Sequence, residues 1–145
     1  MECISVFDML KIGVGPSSSH TLGPWRAAEQ FLAELRSQNI INDVHRVKVD
    51  LYGSLSLTGK GHATDLAVML GLSGADPEYV PIDAIDSIIE DIKTNNELVL
   101  DNEFKIHFNI VSDIFFNKNF LPFHANGLIF TAYTNDSEYN STFYS

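Results

Sequence analysis

Asn126-Gly127-Leu128-Ile129-Phe130-Thr131-Ala132-Tyr133-Thr134-Asn135-Asp136-Ser137-Glu138-Tyr139-Asn140-Ser141-Thr142-Phe143-Tyr144 is the stretch that decides the fold. Asn126-Gly127 marks a turn, Leu128 to Tyr133 a strand, Asn135-Asp136 a second turn, and Glu138 to Tyr144 a returning strand, so the segment reads as a hairpin. Upstream, Val47, Val49 and Leu51 alternate with Lys48 and Asp50, the pattern of a half-buried strand. Leu98 to Leu100 and Phe104 to Ile110 read as short strands, the pattern of the second being ambiguous. Between the strands lie helical patterns. Ser5 caps a short helix through Leu10, and apolar residues at Ala28, Phe31, Leu32 and Leu35 make an amphipathic helix from Trp25 to about Asn39. A further helix spans Ala63 to Leu72, and Asp83 caps another through Ile85, Ile88, Ile89 and Ile92. The strand-rich last third predicts an α+β fold, with helices packed on a mixed or antiparallel sheet, over a doubly wound parallel one.

The chain has 145 residues, the size of one domain with a single core, here expected over 1–145. Nine Lys and Arg against nineteen Asp and Glu give a net charge of −10. That balance argues against nucleic acid and against anionic membrane surfaces, both of which need clustered positive charge. The acidic excess lies mostly between Asp76 and Glu103 and reads as solvated faces. No apolar run reaches membrane-spanning length, and the start of the chain lacks a secretion signal. Cys3 is the only cysteine, so there is no internal disulfide and no thiolate set for zinc or an iron–sulfur cluster. These features together predict a cytoplasmic protein. The chain stops inside a strand pattern, which reads as a fragment of something longer.

Two polar loops share one design. Gly13-Val14-Gly15-Pro16-Ser17-Ser18-Ser19-His20-Thr21 precedes Gly23-Pro24 and a helix; Thr58-Gly59-Lys60-Gly61-His62-Ala63-Thr64-Asp65 opens another. Glycine and proline fix such loops as turns, and hydroxyls with one histidine suit a small polar ligand. Helix N-termini leave free N–H groups that favour carboxylates or phosphates. The dinucleotide fingerprint fails, because Ser18 stands where its third glycine belongs and no strand precedes it. A P-loop fails because Gly61 follows Lys60. At a helix N-terminus His62 is expected to be neutral, the form a general base needs. A Ser–His–Asp triad from Ser19, His62 and Asp65 lacks the Gly-x-Ser-x-Gly elbow. A metal site from His20, His62 and His124 has no support in spacing. His45 and His107 lie in strand patterns and read as structural. Pro122-Phe123-His124-Ala125-Asn126-Gly127 is by itself only a tight turn.

Taken together, Ser5-Val6-Phe7-Asp8, Ile12 to Thr21, Gly23-Pro24, Leu51-Tyr52-Gly53-Ser54-Leu55, Thr58 to His62 with Thr64-Asp65, and Pro122-Phe123-His124 with Asn126-Gly127 resemble the N-terminal β domain of bacterial iron–sulfur L-serine dehydratases. The resemblance covers essentially the whole chain. One departure is Ala63, where the family more often has glycine. The resemblance implies a lyase that removes water and then ammonia from L-serine to give pyruvate, without pyridoxal phosphate. It implies a second, α, domain that binds a [4Fe–4S] cluster outside this chain, fused or separate, and a homodimer. The cluster iron would act as Lewis acid toward the serine hydroxyl and carboxylate. His62 would be the base for the Cα proton, and His20 would orient or protonate substrate. Ser17, Ser18, Ser19 and Thr21 would hold the carboxylate and ammonium, with Lys60, Gly61, His124 and Asn126 completing the pocket; no metal ligand falls in this chain. The same β domain is similar to a ligand-binding domain of some D-3-phosphoglycerate dehydrogenases. That implies an alternative, an allosteric module binding serine or an anion. A purely structural dimerisation domain would not need two histidine loops.

Overall fold

A computed structural model describes residues 21–53, 55, 63–117 and 126–144. The short helix expected after Ser5 lies outside them. The elements run α1 (Leu22–Ser37), a 3-10 turn (Ile41–Asp43), β1 (Arg46–Gly53), α2 (Ala63–Leu72), α3 (Ile82–Asn95), β2 (Glu97–Leu100), β3 (Phe104–His107), β4 (Ile114–Asn117), β5 (Asn126–Tyr133) and β6 (Glu138–Tyr144). The main sheet has the order β4-β1-β5-β6; β2 and β3 form a separate hairpin. β1 and β5 pair antiparallel from Arg46 opposite Tyr133 to Gly53 opposite Asn126. β6 returns along β5 as the terminal hairpin predicts, from Tyr133 opposite Glu138 to Gly127 opposite Tyr144. β4 lies parallel to β1, with Val49 opposite Ile114 and Tyr52 opposite Asn117, so the sheet is mixed. The fold is α+β, as the sequence predicts.

Strand alternation sets the two faces. Val47, Val49 and Leu51 are fully buried, whereas Arg46, Lys48, Asp50 and Tyr52 are half-exposed. α1 covers the buried face through Trp25, Ala28, Phe31, Leu32 and Leu35. Phe31 stacks on Phe130 with ring centroids 5.1 Å apart, and the Tyr139 hydroxyl donates to Glu34 at 2.8 Å. α1 ends at Ser37, and beyond its cap Gln38 the left-handed backbone of Asn39 (φ 56°) lets the Ile40 N–H reach the Leu35 carbonyl at 3.1 Å. The chain then enters β1 where the His45 N–H meets the Tyr133 carbonyl at 2.9 Å.

α2 packs closely on α1. A Cβ on Gly71 would stand 2.6 Å from the Ala28 Cβ and 2.7 Å from the Trp25 carbonyl oxygen, so only glycine allows this approach. Asp101 and Asn102 both adopt positive φ, 50° and 62°, in the β2–β3 turn, which the Glu103 N–H closes on the Leu100 carbonyl at 3.1 Å. Arg36 of α1 holds this turn through Asp101 and through Glu103 at 2.7 Å.

Four local readings differ from the structure. Asn126-Gly127, read as a turn, are the first residues of β5, held there by pairing with Gly53 and Tyr52 of β1. α3 is entered through Pro81 in extended conformation, with Asp83 inside the first turn and not at the cap; Pro81 presets that entry and has no N–H to satisfy. β3 ends at His107, because Asn109 turns the chain by accepting the Val111 and Ser112 N–H groups. β4 went unrecognised, since its four residues carry little alternation. Its position is fixed from outside: buried Asp113 accepts Arg46 Nε at 2.8 Å and the Asn109 N–H at 2.8 Å, while the Asp113 carbonyl accepts the Val49 N–H at 2.8 Å. Among the described residues no helix is long and apolar enough to cross a membrane.

The helix seam gives a direct test. Gly71→Ala is expected to lower stability by about 1–3 kcal/mol through overpacking, against a helix-propensity gain of about 1 kcal/mol. The urea midpoint measures it, and an unchanged or higher midpoint would show that the seam has slack.

Candidate active site

Ser17, Ser18, Ser19, His20, Lys60, Gly61, His62 and His124 lie outside the described residues, and only the backbone of Asn126 lies within them. Thr21 is described in full. The residues that join these segments to the fold share one end of it. Segment 54–62 leaves from Gly53 at the end of β1. Segment 118–125 runs from Asn117 to Asn126, which sit opposite Tyr52 and Gly53 on the two strands flanking β1. Neighbouring strands are about 4.8 Å apart, so Gly53, Asn117 and Asn126 form one cluster of joining points.

Thr21 belongs to the same end. Phe31 stacks on Phe130, and Glu34, one turn further along α1, meets Tyr139, whose strand partner is Ala132. α1 therefore runs in the same direction as β5. Stepping back from the stacked pair, Thr21 is about 15 Å away along the helix and Asn126 about 13 Å away along the strand. The Gly-His and Pro-Phe-His segments are thus joined to the sheet, and the Ser-His segment to α1, at one end of the fold.

The start of α1 is chemically open. The first helical bond runs from the Trp25 N–H to the Thr21 carbonyl at 3.0 Å, so Leu22 and Gly23 have no acceptor within the helix and Pro24 has no N–H. Thr21 provides no side-chain cap. Its side chain is nevertheless buried, with the residue 4% exposed, and its Oγ1 has no hydrogen-bond partner. Leaving a buried hydroxyl unsatisfied costs about 1–3 kcal/mol. An unpartnered hydroxyl beside N–H groups that have no acceptor within the helix, at a positive dipole end, is a fitting receptor for a carboxylate. The first turn of α2 is also buried and polar, with Thr64 and Asp65 1% and 4% exposed. Asp65 Oδ1 accepts the Leu66 N–H at 2.9 Å. Sequence reading met Thr64-Asp65 as part of a family motif, and Asp65 also as a possible triad member, but gave neither residue a place in the pocket; their burial is a tertiary property without a signal in hydropathy.

Among the described residues, open clefts lie beside other side chains. One of about 250 Å³ runs beside Glu29, Ala33, Arg36, Gly74 and Asp101, and one of about 270 Å³ beside Ser73, Asp76, Tyr79, Ile88 and Asn102. Burial, partly offset by Arg26, holds the Glu29 carboxyl above its ordinary range. Arg36, the main cation there, is engaged by Asp101 and Glu103. His45 and His107 are exposed on strand ends, away from the cluster of joining points. The described residues contain no group of three His, Cys, Asp or Glu able to hold a metal.

Comparison with known proteins identifies the relatives. The serine dehydratase beta chain family matches residues 5–145. The chain belongs to that family. It is 49% identical over 144 residues to L-serine dehydratase 2 of Escherichia coli K12, covering 98% of this chain and 32% of that protein. It is 45% identical over 145 residues to the L-serine dehydratase of Haemophilus influenzae, covering 98% and 32%. Against the Streptomyces coelicolor L-serine dehydratase it is 45% identical over 131 residues, covering 90% and 29%. This serine dehydratase beta chain domain therefore spans about a third of the length of the relatives it matches.

Thr21→Val is the variant that separates ligand from fold. Because Oγ1 has no protein partner, the isosteric change is expected to leave thermal stability unchanged or raise it by about 1 kcal/mol. A clear loss, seen in a melting curve, would mean the hydroxyl serves the fold.

Proposed function

We propose that this chain is the substrate-binding part of an L-serine dehydratase, which converts L-serine to pyruvate and ammonia. The observation that carries the reading is Thr21: a buried, unpartnered hydroxyl at the start of α1, which has no side-chain cap, at the end of the fold where two histidine-bearing segments join the sheet and the third joins α1. The relatives' names supply the substrate.

In this reading the serine carboxylate sits at the N-terminus of α1, hydrogen-bonded by Thr21 and the hydroxyls of Ser17, Ser18 and Ser19. Lys60, Gly61, His124 and Asn126 complete the pocket. His62 takes the Cα proton, and His20 delivers a proton toward the β-hydroxyl. The Cα–H electrons form the Cα–Cβ double bond, the Cβ–O bond breaks, and the oxygen leaves as water. The resulting enamine tautomerises to an imine, and hydrolysis of that imine releases ammonia and pyruvate. The base and acid roles are worth roughly 10²–10⁴ each in rate.

A [4Fe–4S] cluster needs a set of thiolates, and Cys3 is the only cysteine of the 145 residues. The residues of this chain do not fit that group. In this reading the cluster belongs to the two-thirds of the dehydratase that this chain does not span. A homodimer and a cytoplasmic setting complete the proposal.

Anaerobic pyruvate formation from L-serine by the full-length enzyme tests it. His62→Asn should lower kcat a hundredfold or more with folding intact. Thr21→Val should raise KM roughly tenfold, the worth of one hydrogen bond to a charged group. If His62→Asn keeps kcat but alters the serine dependence, the pocket is regulatory and the catalytic assignment falls.

A further inference from the structure

The acidic excess of this chain is concentrated in one stretch. Residues 76–103 hold nine Asp and Glu against the single cation Lys93, so they carry −8 of the chain's −10. Arg36 engages Asp101 and Glu103. Among the described residues no ion pair reaches the other seven acids, six of which are exposed. An acidic surface by itself only keeps a protein soluble.

Solubility leaves the apolar side chains within this stretch unexplained. They border a groove. Its wider lobe, about 270 Å³, lies beside Tyr79, Val80 and Ile88, and its smaller lobe, about 180 Å³, beside Ile88, Ile92 and Val99. Ser73, Ile88 and Asn102 line both lobes, so the groove is continuous. Tyr79 is 76% exposed and Val99 43%. Asp76 lines the wider lobe, and Asp91 and Glu97 line the smaller one. Single exposed apolar residues are ordinary on a protein surface, but two that converge on one groove mark a contact site. Ser73 follows the last residue of α2, about 15 Å along that helix from Ala63. The groove therefore opens at the end of α2 opposite the one that segment 54–62 enters.

Charge selects the occupant. A second copy brings the same −8 stretch and is repelled, as are nucleic acid and anionic lipid. We propose that the groove docks a Lys- or Arg-rich segment of a separate protein. Bulky apolar side chains of that segment fill the two lobes, and its cations meet Asp76, Asp91 and Glu97. The buried apolar anchors supply the affinity, while the surrounding acids speed approach and select the partner. That the partner is a separate protein rests on the proposed function, in which the cluster-bearing part of the enzyme reaches serine at the other end of α2.

The test uses the full-length dehydratase and a fluorescein-labelled peptide that repeats Leu-Lys-Lys-Leu, with the same repeat carrying Glu for Lys as control. Fluorescence anisotropy across a salt series reads Kd. The lysine peptide should bind and the glutamate peptide should not. Tyr79→Ser with Val99→Ser should weaken binding about tenfold or more. Asp91→Asn with Glu97→Gln should weaken it and flatten its salt dependence. Asp136→Asn, in the β5–β6 turn outside the groove, should leave Kd unchanged. A Kd unmoved by Tyr79→Ser with Val99→Ser means that charge alone holds the peptide, and overturns the proposal; so does a lysine peptide that fails to bind. A dimer in sedimentation that this double variant dissociates makes a second copy the occupant, and overturns it too. If the double variant loses its fold by circular dichroism, Tyr79→Ser alone decides on the same criterion. Turnover of L-serine by the unsubstituted enzyme reads the dehydratase assignment separately, so the two failures are distinguishable.

Discussion

The antiparallel pairing of β1 with β5 is the constraint on which the rest of the structure depends. It sets Gly53 opposite Asn126 and, through the parallel strand on the other side, Tyr52 opposite Asn117. Side chains alternate along a strand, so a one-residue slip would turn Val47, Val49 and Leu51 out of the core. The same slip would move the points from which segments 54–62 and 118–125 leave the sheet. Core packing and site assembly are thus secured by one register. Burial enforces it: Val47, Val49, Leu51, Phe130 and Ala132 are all fully inaccessible.

α1 brings the third segment to that edge, and its placement is held at three levels. Phe31 stacks on Phe130 in the middle of the sheet, Arg36 grips the β2–β3 turn, and Trp25 donates from Nε1 to the Ala75 carbonyl at 2.7 Å while fully buried. Trp25 stands four residues after Thr21, so the start of the helix cannot shift without disturbing the core. An anchored helix end with a buried, unpartnered Thr21 hydroxyl costs the fold some stability, which the proposed carboxylate would repay. Polar loops carried on an apolar scaffold are a common division of labour, since loops that bind polar ligands cannot pack a core. The acidic cleft beside Glu29 and Asp101, at the other end of α1, has no comparable donors, its main cation being engaged by carboxylates.

Much of this was legible in the sequence. Strict alternation at Val47 to Leu51 and the Asn135-Asp136 turn between two strand patterns gave β1, β5 and β6, because a half-buried sheet imposes period two on its residues, whereas Asn126-Gly127, read as a turn, belongs to β5. Helical spacing gave α1 to within a few residues and α2 at its observed bounds. What stayed hidden depended on contacts distant in the chain. β4 is positioned by Asp113 and Arg46, 67 positions apart, which no local pattern displays. The Asp101-Asn102 turn has fitting residue types but lies within an acidic stretch read as solvated surface. The candidate site was legible only as residue types that suit a small polar ligand, while the common end of the fold at which its flanking residues meet followed only from strand order. Thr21 was chosen for its hydroxyl; that the hydroxyl is buried and unpaired is a fact of packing.

The central claim is that three segments separated in sequence form one serine-binding site at the C-terminal edge of β1. Hydrogen–deuterium exchange on the full-length His62→Asn enzyme, with and without saturating L-serine, tests it most directly. The account predicts that serine slows exchange together in residues 15–25, 54–66 and 118–128, with the β2–β3 turn unaffected. Slowing confined to the cleft around Glu29, Gly74 and Asp101, with those three segments unchanged, would contradict it.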